Sequence, residues 1–390
     1  MKEFNTNEGR GGFNVGYYST DSVQATNVSW TRQSRFIGPS KPSVRIVFEA
    51  PIGVKQNHFV INNKRDLLFG GDGEFFNINL GGEINWHYKD SRNFMDRFFF
   101  TSPIILKNGY ILVGTSGGWD SKGHKVMAFD KDGHLVWDFI CDDAVSSTCV
   151  TDSEGNIYFT TYGSKLYSVD LDGNLRWIFR YEAEFSIIPV ISDEWKIYIS
   201  SNDEFMMILD KSGNLLEKFK IGTCGPNSFP IFDKKGNLYF KTNMIDDIQL
   251  ISLNSEGIIN WIFSPKRGDI ITSPALNDAG FLFVGATFFQ LICVDSAGEE
   301  VWTTAVEGFM SQPPIVDINS NVYTVSYKET RGRGYSYLQS FSKDGKENWR
   351  IKLEGVLTLP VLSSDGEIVL LLNNTSGWIE KTQVITVTQK

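Results

Sequence analysis

The sequence is poor in the residues from which reactive centres are built. It holds only four cysteines, Cys141, Cys149, Cys224 and Cys293, and four histidines, His58, His87, His124 and His134, in 390 residues. No two cysteines are adjacent or spaced as CxxC, so neither a redox pair nor a thiolate zinc site is spelled out, and all four are expected to be scattered core residues. The histidines lack metal-ligand spacing. HExxH, P-loop and GxSxG patterns are absent. No apolar run approaches the length of a membrane span, and the first residues lack the apolar core of a secretory signal, so a cytoplasmic location with no membrane contact is expected. Basic charge is also in deficit: the net charge is −9 and the pI about 5.1. That argues against a nucleic-acid binder.

Aromatic residues and glycine are plentiful: 29 Phe, 14 Tyr, 10 Trp and 36 Gly. Abundant aromatics between glycine-bearing turns point to an all-β chain. One phrase recurs along it, an apolar-Asp pair followed by Gly-x-x-x-Trp. It stands at Gly82–Trp86, Gly133–Trp137, Gly173–Trp177, Gly257–Trp261, Gly298–Trp302 and Gly345–Trp349. A seventh copy, Gly213–Glu217, has no Trp, and Phe48 is expected to stand in the eighth Trp position. A β-type repeat of roughly 40 residues predicts propeller blades of four strands. The turns "DKDGH", "DLDGN" and "DKSGN" read as hairpin connections with Gly at positive φ. They resemble the start of a calcium loop whose later ligands are missing, so no metal is expected. The repeated Trp, on the fourth strand, is expected to fill the gap between blades and to need a partner for its indole N–H.

After Trp349 only three strands remain, and "PSVRIVFE" (42–49) offers the fourth. Strand 42–49 pairing with 383–389 closes an eight-bladed ring and removes its open edge. The expected organisation is thus a leader, residues 1–41, packed on a single eight-bladed all-β propeller of four-stranded antiparallel blades, residues 42–390, and a monomer.

The blade pattern, with Ser102-Pro103, Ser273-Pro274, Gly114, Gly285, Ala128, Asp130, Asp170, Asp210, Asp295 and the Gly-x-x-x-Trp set, resembles the repeat of pyrroloquinoline-quinone-type propellers. The resemblance covers roughly residues 40–390. That superfamily includes quinoprotein alcohol dehydrogenases and an outer-membrane assembly lipoprotein. The dehydrogenases carry a vicinal Cys-Cys pair and a calcium cluster. This chain has no Cys-Cys pair, and no calcium cluster can be placed on it, so neither pyrroloquinoline quinone nor calcium is expected as cofactor. The resembling residues are packing residues and imply a fold rather than an activity.

Two places could hold a site. Three intervals run longer than their counterparts: "KDSRNFMDR" (89–97), between strand 4 and the next strand 1, and "GGWDSKGHK" (117–125) and "KETRGRG" (328–334), between strands 2 and 3. Both connection types emerge on one face of the disc. Together they carry eight basic residues against four acidic ones. Binding commonly sits on long loops of a rigid scaffold. Arg92, Arg97, Trp119, His124, Arg331 and Arg333 are therefore candidates to bind an anionic small molecule or an acidic protein. The second place is the central channel. Two residues before each inner-strand Pro position stand Asn57, Thr101, Ser147, Ile187, Ser228, Thr272, Gln312 and Thr358. These side chains either cap the starts of inner strands or line a polar pocket, with Asn57 and Gln312 as candidate contacts. A non-catalytic binding or scaffold role is expected. An enzyme or small-molecule binder at the channel mouth is the alternative.

Overall fold

The structure is a computed structural model. It describes the chain except for residues 1–33, 35, 51–58, 63, 72, 90–98, 117–122, 193, 225–228, 246, 311 and 375–380. The described residues form eight antiparallel sheets and no helix. Blade 3 shows the plan: Val150–Thr151, Ile157–Thr161, Lys165–Val169 and Leu175–Arg180, each strand paired with the next. The inner three strands are buried on both faces, as a sheet stacked between two others requires, while the fourth is half-buried, with its ends exposed at the rim. All four cysteines are free and buried.

The eighth blade joins the two ends of the chain. Pro42–Ala50 pairs antiparallel with Lys381–Gln389, with Pro42 opposite Gln389 and Ala50 opposite Thr382. Elsewhere the turn between strands 3 and 4 is covalent, and an Asp or Asn side chain, or Ser342 in blade 7, braces it. Asp130 Oδ1, for example, accepts the N–H groups of Asp132 and His134, each at 2.9 Å. In blade 8 that turn is missing, and Gln389 takes over its task. Its Oε1 accepts the N–H groups of Ser40 at 2.8 Å and Lys41 at 3.2 Å. Residues just before this strand also lie on the ring. The N–H of Ser34 donates to Val316 O at 2.6 Å, and Phe36 packs on the core shared by blades 7 and 8.

Neighbouring blades are joined by one repeated contact. Five of the six fourth-strand Trp lay their rings on the positive-φ Gly of the next blade's turn; a Cβ on Gly173 would sit 2.7 Å from Trp137. The indole N–H donates to the carbonyl of the residue two before that Gly. The pairs are Trp86 to Lys131, Trp137 to Leu171, Trp177 to Lys211, Trp261 to Ser296 and Trp302 to Lys343, at 2.8 to 3.0 Å. Trp349 donates to Pro39 O at 2.7 Å, using the carbonyl that the closing segment presents.

The two junctions without Trp keep the hydrogen bond by other means. Where Glu217 replaces Trp, Phe219 covers Gly257, and Tyr198 Oη and Lys196 Nζ donate to Ser255 O at 3.3 and 3.4 Å. Phe48 does not fill the eighth position alone. It packs edge-on against Phe69 of blade 1, Val47 meets Gly82, and Arg45 Nη2 donates to Leu80 O at 3.0 Å. The reason is a bulge in this strand between Ile46 and Phe48, which shifts which side chain faces the turn. A backbone carbonyl therefore receives a side-chain donor at all eight junctions.

Candidate functional site

Connections from strand 4 to strand 1 lie on the same face as turns from strand 2 to strand 3, because they bond to each other. Tyr181 N–H donates to Ser164 O, Ile221 to Glu204, Val306 to Phe289 and Gly355 to Gly334, at 2.8 to 3.1 Å. Of the three long intervals on this face, the described one is in blade 7. It is not a loose glycine-rich loop. Val322–Thr330 and Arg333–Phe341 stay paired to the tip, with Lys328 opposite Tyr335, Glu329 opposite Gly334 and Thr330 opposite Arg333. The turn is only Arg331-Gly332, both left-handed at φ 54° and 75°, a two-residue hairpin conformation that favours Gly at the second position. The insertion thus lengthens two strands and carries Arg331 and Arg333 beyond the sheet, both exposed.

Pairing divides the basic residues of this face. Lys89 meets Glu74 at 2.9 Å, Lys125 meets Asp138 at 2.6 Å, and Lys328 meets Glu307 at 2.5 Å. Arg350 meets the same Glu307 at 2.7 Å, and the hydrogen bond from Lys328 above all holds that carboxyl below its usual range. Arg331 and Arg333 have no carboxylate partner among the described residues. His124 lies at the base of the blade 2 loop but is buried, not presented. The strand Lys125–Phe129 begins beside it, and its carbonyl accepts the N–H of Cys141 at 2.7 Å. Arg92, Arg97, Trp119 and Asn57 lie outside the described residues.

Next to the basic hairpin, blade 6 exposes aromatic rings that sequence reasoning passed over. The turn Thr287-Phe288-Phe289 joins strands 2 and 3, and both phenylalanines have left-handed φ, 61° and 60°. Their exposure is 54% and 49%, and Phe309, at the start of blade 7, is 47% exposed. The Arg267 guanidinium lies over the Phe288 ring, 4.0 Å from its centre. The available signal was an FF pair where a turn normally carries Gly, Asn or Asp.

The channel candidates divide as well. Four of the inner hydroxyls serve their own blades: Thr101 accepts the N–H of Gly114, Ser147 that of Thr160, Thr272 that of Gly285 and Thr358 that of Leu371, at 2.7 to 2.9 Å. These are strand caps, the first of the two expected roles. Gln312 is half-buried, and its Oε1 is a buried acceptor with no hydrogen-bond partner among the described residues. Beside this ring sits a second residue the sequence reading missed, the buried Lys241. It occupies the strand position held by Gly114, Thr160, Ser200 and Gly285 in blades 2, 3, 4 and 6, and donates to Ile271 O of blade 6 at 3.0 Å. Burial pulls its pKa down to about 8. Aligning the repeats exposes this lone charge. Among the described residues, no three His, Cys, Asp or Glu side chains gather to hold a metal ion.

An eight-bladed ring of four-stranded antiparallel sheets is a β-propeller, and its repeat is of the pyrroloquinoline-quinone type. The family model described as "Outer membrane protein assembly factor BamB" matches residues 121–216 and 247–385, more than half the chain, and the protein belongs to that family. Among solved structures, BamB from Moraxella catarrhalis superposes with a TM-score of 0.65 at 15% identity, covering 89% of this chain and 98% of that one. A europium-containing methanol dehydrogenase gives 0.59 at 13% identity, over 69% of this chain and 72% of its own. The quinohemoprotein alcohol dehydrogenase ADHIIG from Pseudomonas putida HK5 gives 0.55 at 10%, over 84% and 78%. At such identities the likeness concerns the fold alone. No curated protein matches the sequence significantly.

Proposed function

We propose that this propeller is a non-catalytic, protein-binding scaffold whose partner docks through an acidic segment on the face bearing the blade 7 hairpin. The observation that carries this reading is the hairpin itself. Its strands are paired to the tip, and it holds two arginines with no carboxylate partner on a chain of net charge −9. Unpaired guanidiniums on a rigid support suit carboxylates, because the planar fork is pre-organised for bidentate bonds. The match over more than half the chain to the family described as an outer membrane protein assembly factor supports a scaffold over an enzyme. The use of the inner hydroxyls as strand caps leaves fewer groups for chemistry in the channel.

Titration of the full chain into a labelled Glu-rich peptide and a labelled Lys-rich peptide, at low and at physiological salt, tests the reading. The acidic peptide is expected to bind more tightly, and to weaken with salt. Replacing Arg331 and Arg333 together by Ala should lower that affinity about tenfold, at roughly 0.7 kcal/mol for each exposed charge, and leave the melting temperature unchanged. Equal binding of both peptides, or an affinity untouched in the double variant, overturns it.

A further inference from the structure

The turn of blade 6 departs from its counterparts in backbone as well as in sequence. Three-residue turns also join strands 2 and 3 in blades 3 and 4: Tyr162-Gly163-Ser164 and Asn202-Asp203-Glu204. In those turns only the last residue is left-handed, Ser164 at φ 56° and Glu204 at φ 76°. In blade 6 the middle residue is left-handed too, and both left-handed places hold Phe. A bulky side chain in this region is strained, and such strain persists only where the surroundings over-determine it. Here they do. Thr287 N–H donates to Asp269 O at 2.9 Å, Asp269 N–H returns to Thr287 Oγ1 at 2.9 Å, and Val306 N–H donates to Phe289 O at 2.8 Å. Gly268 lies so close that a Cβ there would meet Phe288 Cε2 at 2.9 Å. The strain is not repaid by burial, since both rings stay about half exposed.

The rings continue into the basic hairpin. The segment that bonds to Phe289 leads through Glu307 to Phe309, whose strand partner is Tyr327, and the hairpin rises from Tyr327. Unpaired charge along this strip is in basic excess. Glu300 and Glu307 are taken up by Lys266, Lys328 and Arg350. Among the described exposed residues here, Arg267, Arg331, Arg333 and Lys352 have no carboxylate partner, against two acids without a cationic one, Glu329 and Glu354, the latter opposite Tyr335.

We propose that the strained Phe288-Phe289 turn, with Phe309, is an aromatic anchor for a partner-protein segment in which apolar side chains are interspersed with carboxylates. This rests on the scaffold reading and sharpens it from any acidic partner to one with apolar residues between its acids. Half-exposed rigid aromatics beside guanidiniums provide apolar contact and orientation together.

The test uses the full chain and three labelled peptides of equal length: Leu and Phe interspersed with Glu, Glu with Ser, and Leu and Phe interspersed with Lys. Phe288→Asn with Phe289→Gly places residues suited to left-handed φ at both positions. This double variant should melt a few degrees higher and bind the mixed acidic peptide about tenfold or more weakly, with the Glu-Ser peptide unaffected. Phe309→Thr, which relieves no such strain, should lose mixed-peptide affinity without the rise in melting temperature. Mixed-peptide affinity that falls with the Arg331 and Arg333 substitutions but not with either phenylalanine variant overturns the anchor and leaves the scaffold reading standing. Equal binding of the acidic and basic mixed peptides overturns both.

Discussion

At the scale of single residues, Lys241 departs most from what its position asks for. Every other described blade puts a small or apolar residue there, and this one buries an ammonium that donates to Ile271 O. Its folded pKa of about 8 lies below the ordinary 10.5, with burial as the cause. Between those values the unfolded chain holds the extra proton, so stability should rise with pH from about 8 towards 10.5 and be lowest below that window. By the linkage rule the swing is at most about 3 kcal/mol. Lys241→Met should raise the melting temperature at neutral pH and flatten its rise up to pH 9.5, as followed by circular dichroism. A variant as pH-dependent as the parent would assign the slope to other groups. Nothing at the residue scale in the sequence marks this lysine as buried, because "YFKTN" passes from apolar to polar residues, as a strand does where it leaves the core.

Among the elements, the junctions between blades explain what could be read ahead and what could not. A tryptophan repeated at one offset from a glycine is visible because the same side chain does the same task six times. The donors Arg45, Tyr198 and Lys196 are invisible to that logic. They come from different strands, share no chemistry, and are united only by the carbonyl they reach. Phe48 was expected in place of Trp, and the bulge beside it instead divided packing and hydrogen bonding among three residues. The blade 7 insertion reads as a loop by its glycines, yet "YTVSYKET" and "RGYSYLQS" alternate with period two, which is why the sheet extends to its tip. If the indole hydrogen bond and the ring contribute separately, Trp137→Phe should cost about 1 kcal/mol and Trp137→Ala about 3 kcal/mol in urea denaturation. Equal losses would make the hydrogen bond to Leu171 O incidental.

For the whole molecule, closure is the decisive contact. The sequence count of strands was enough to foresee that the first described strand completes the last blade. It was not enough to foresee that Gln389 would rebuild a turn between separate ends. Removing the chain up to Ala50 strips Lys381–Gln389 of its partner and leaves an apolar sheet with a bare edge. Such a truncation should elute as aggregate, or melt well below the full chain, in size-exclusion and calorimetric measurements. A truncated monomer with an unchanged melting point would show that seven blades and an open edge suffice.

The two strands that close the ring are separated by more than 330 residues, as the Lys381–Glu49 contact shows. On a ribosome adding about 5–20 residues per second, Pro42–Ala50 emerges tens of seconds before the strand it must join. Blades 1 to 7 have all their strands in one stretch of chain and can assemble in order of synthesis. Blade 8 cannot. Through that interval the waiting strand displays Val47 and Phe48, which the closed ring packs against its core, beside unpaired backbone groups, so the nascent chain is most vulnerable to aggregation at its beginning and is protected only by its end.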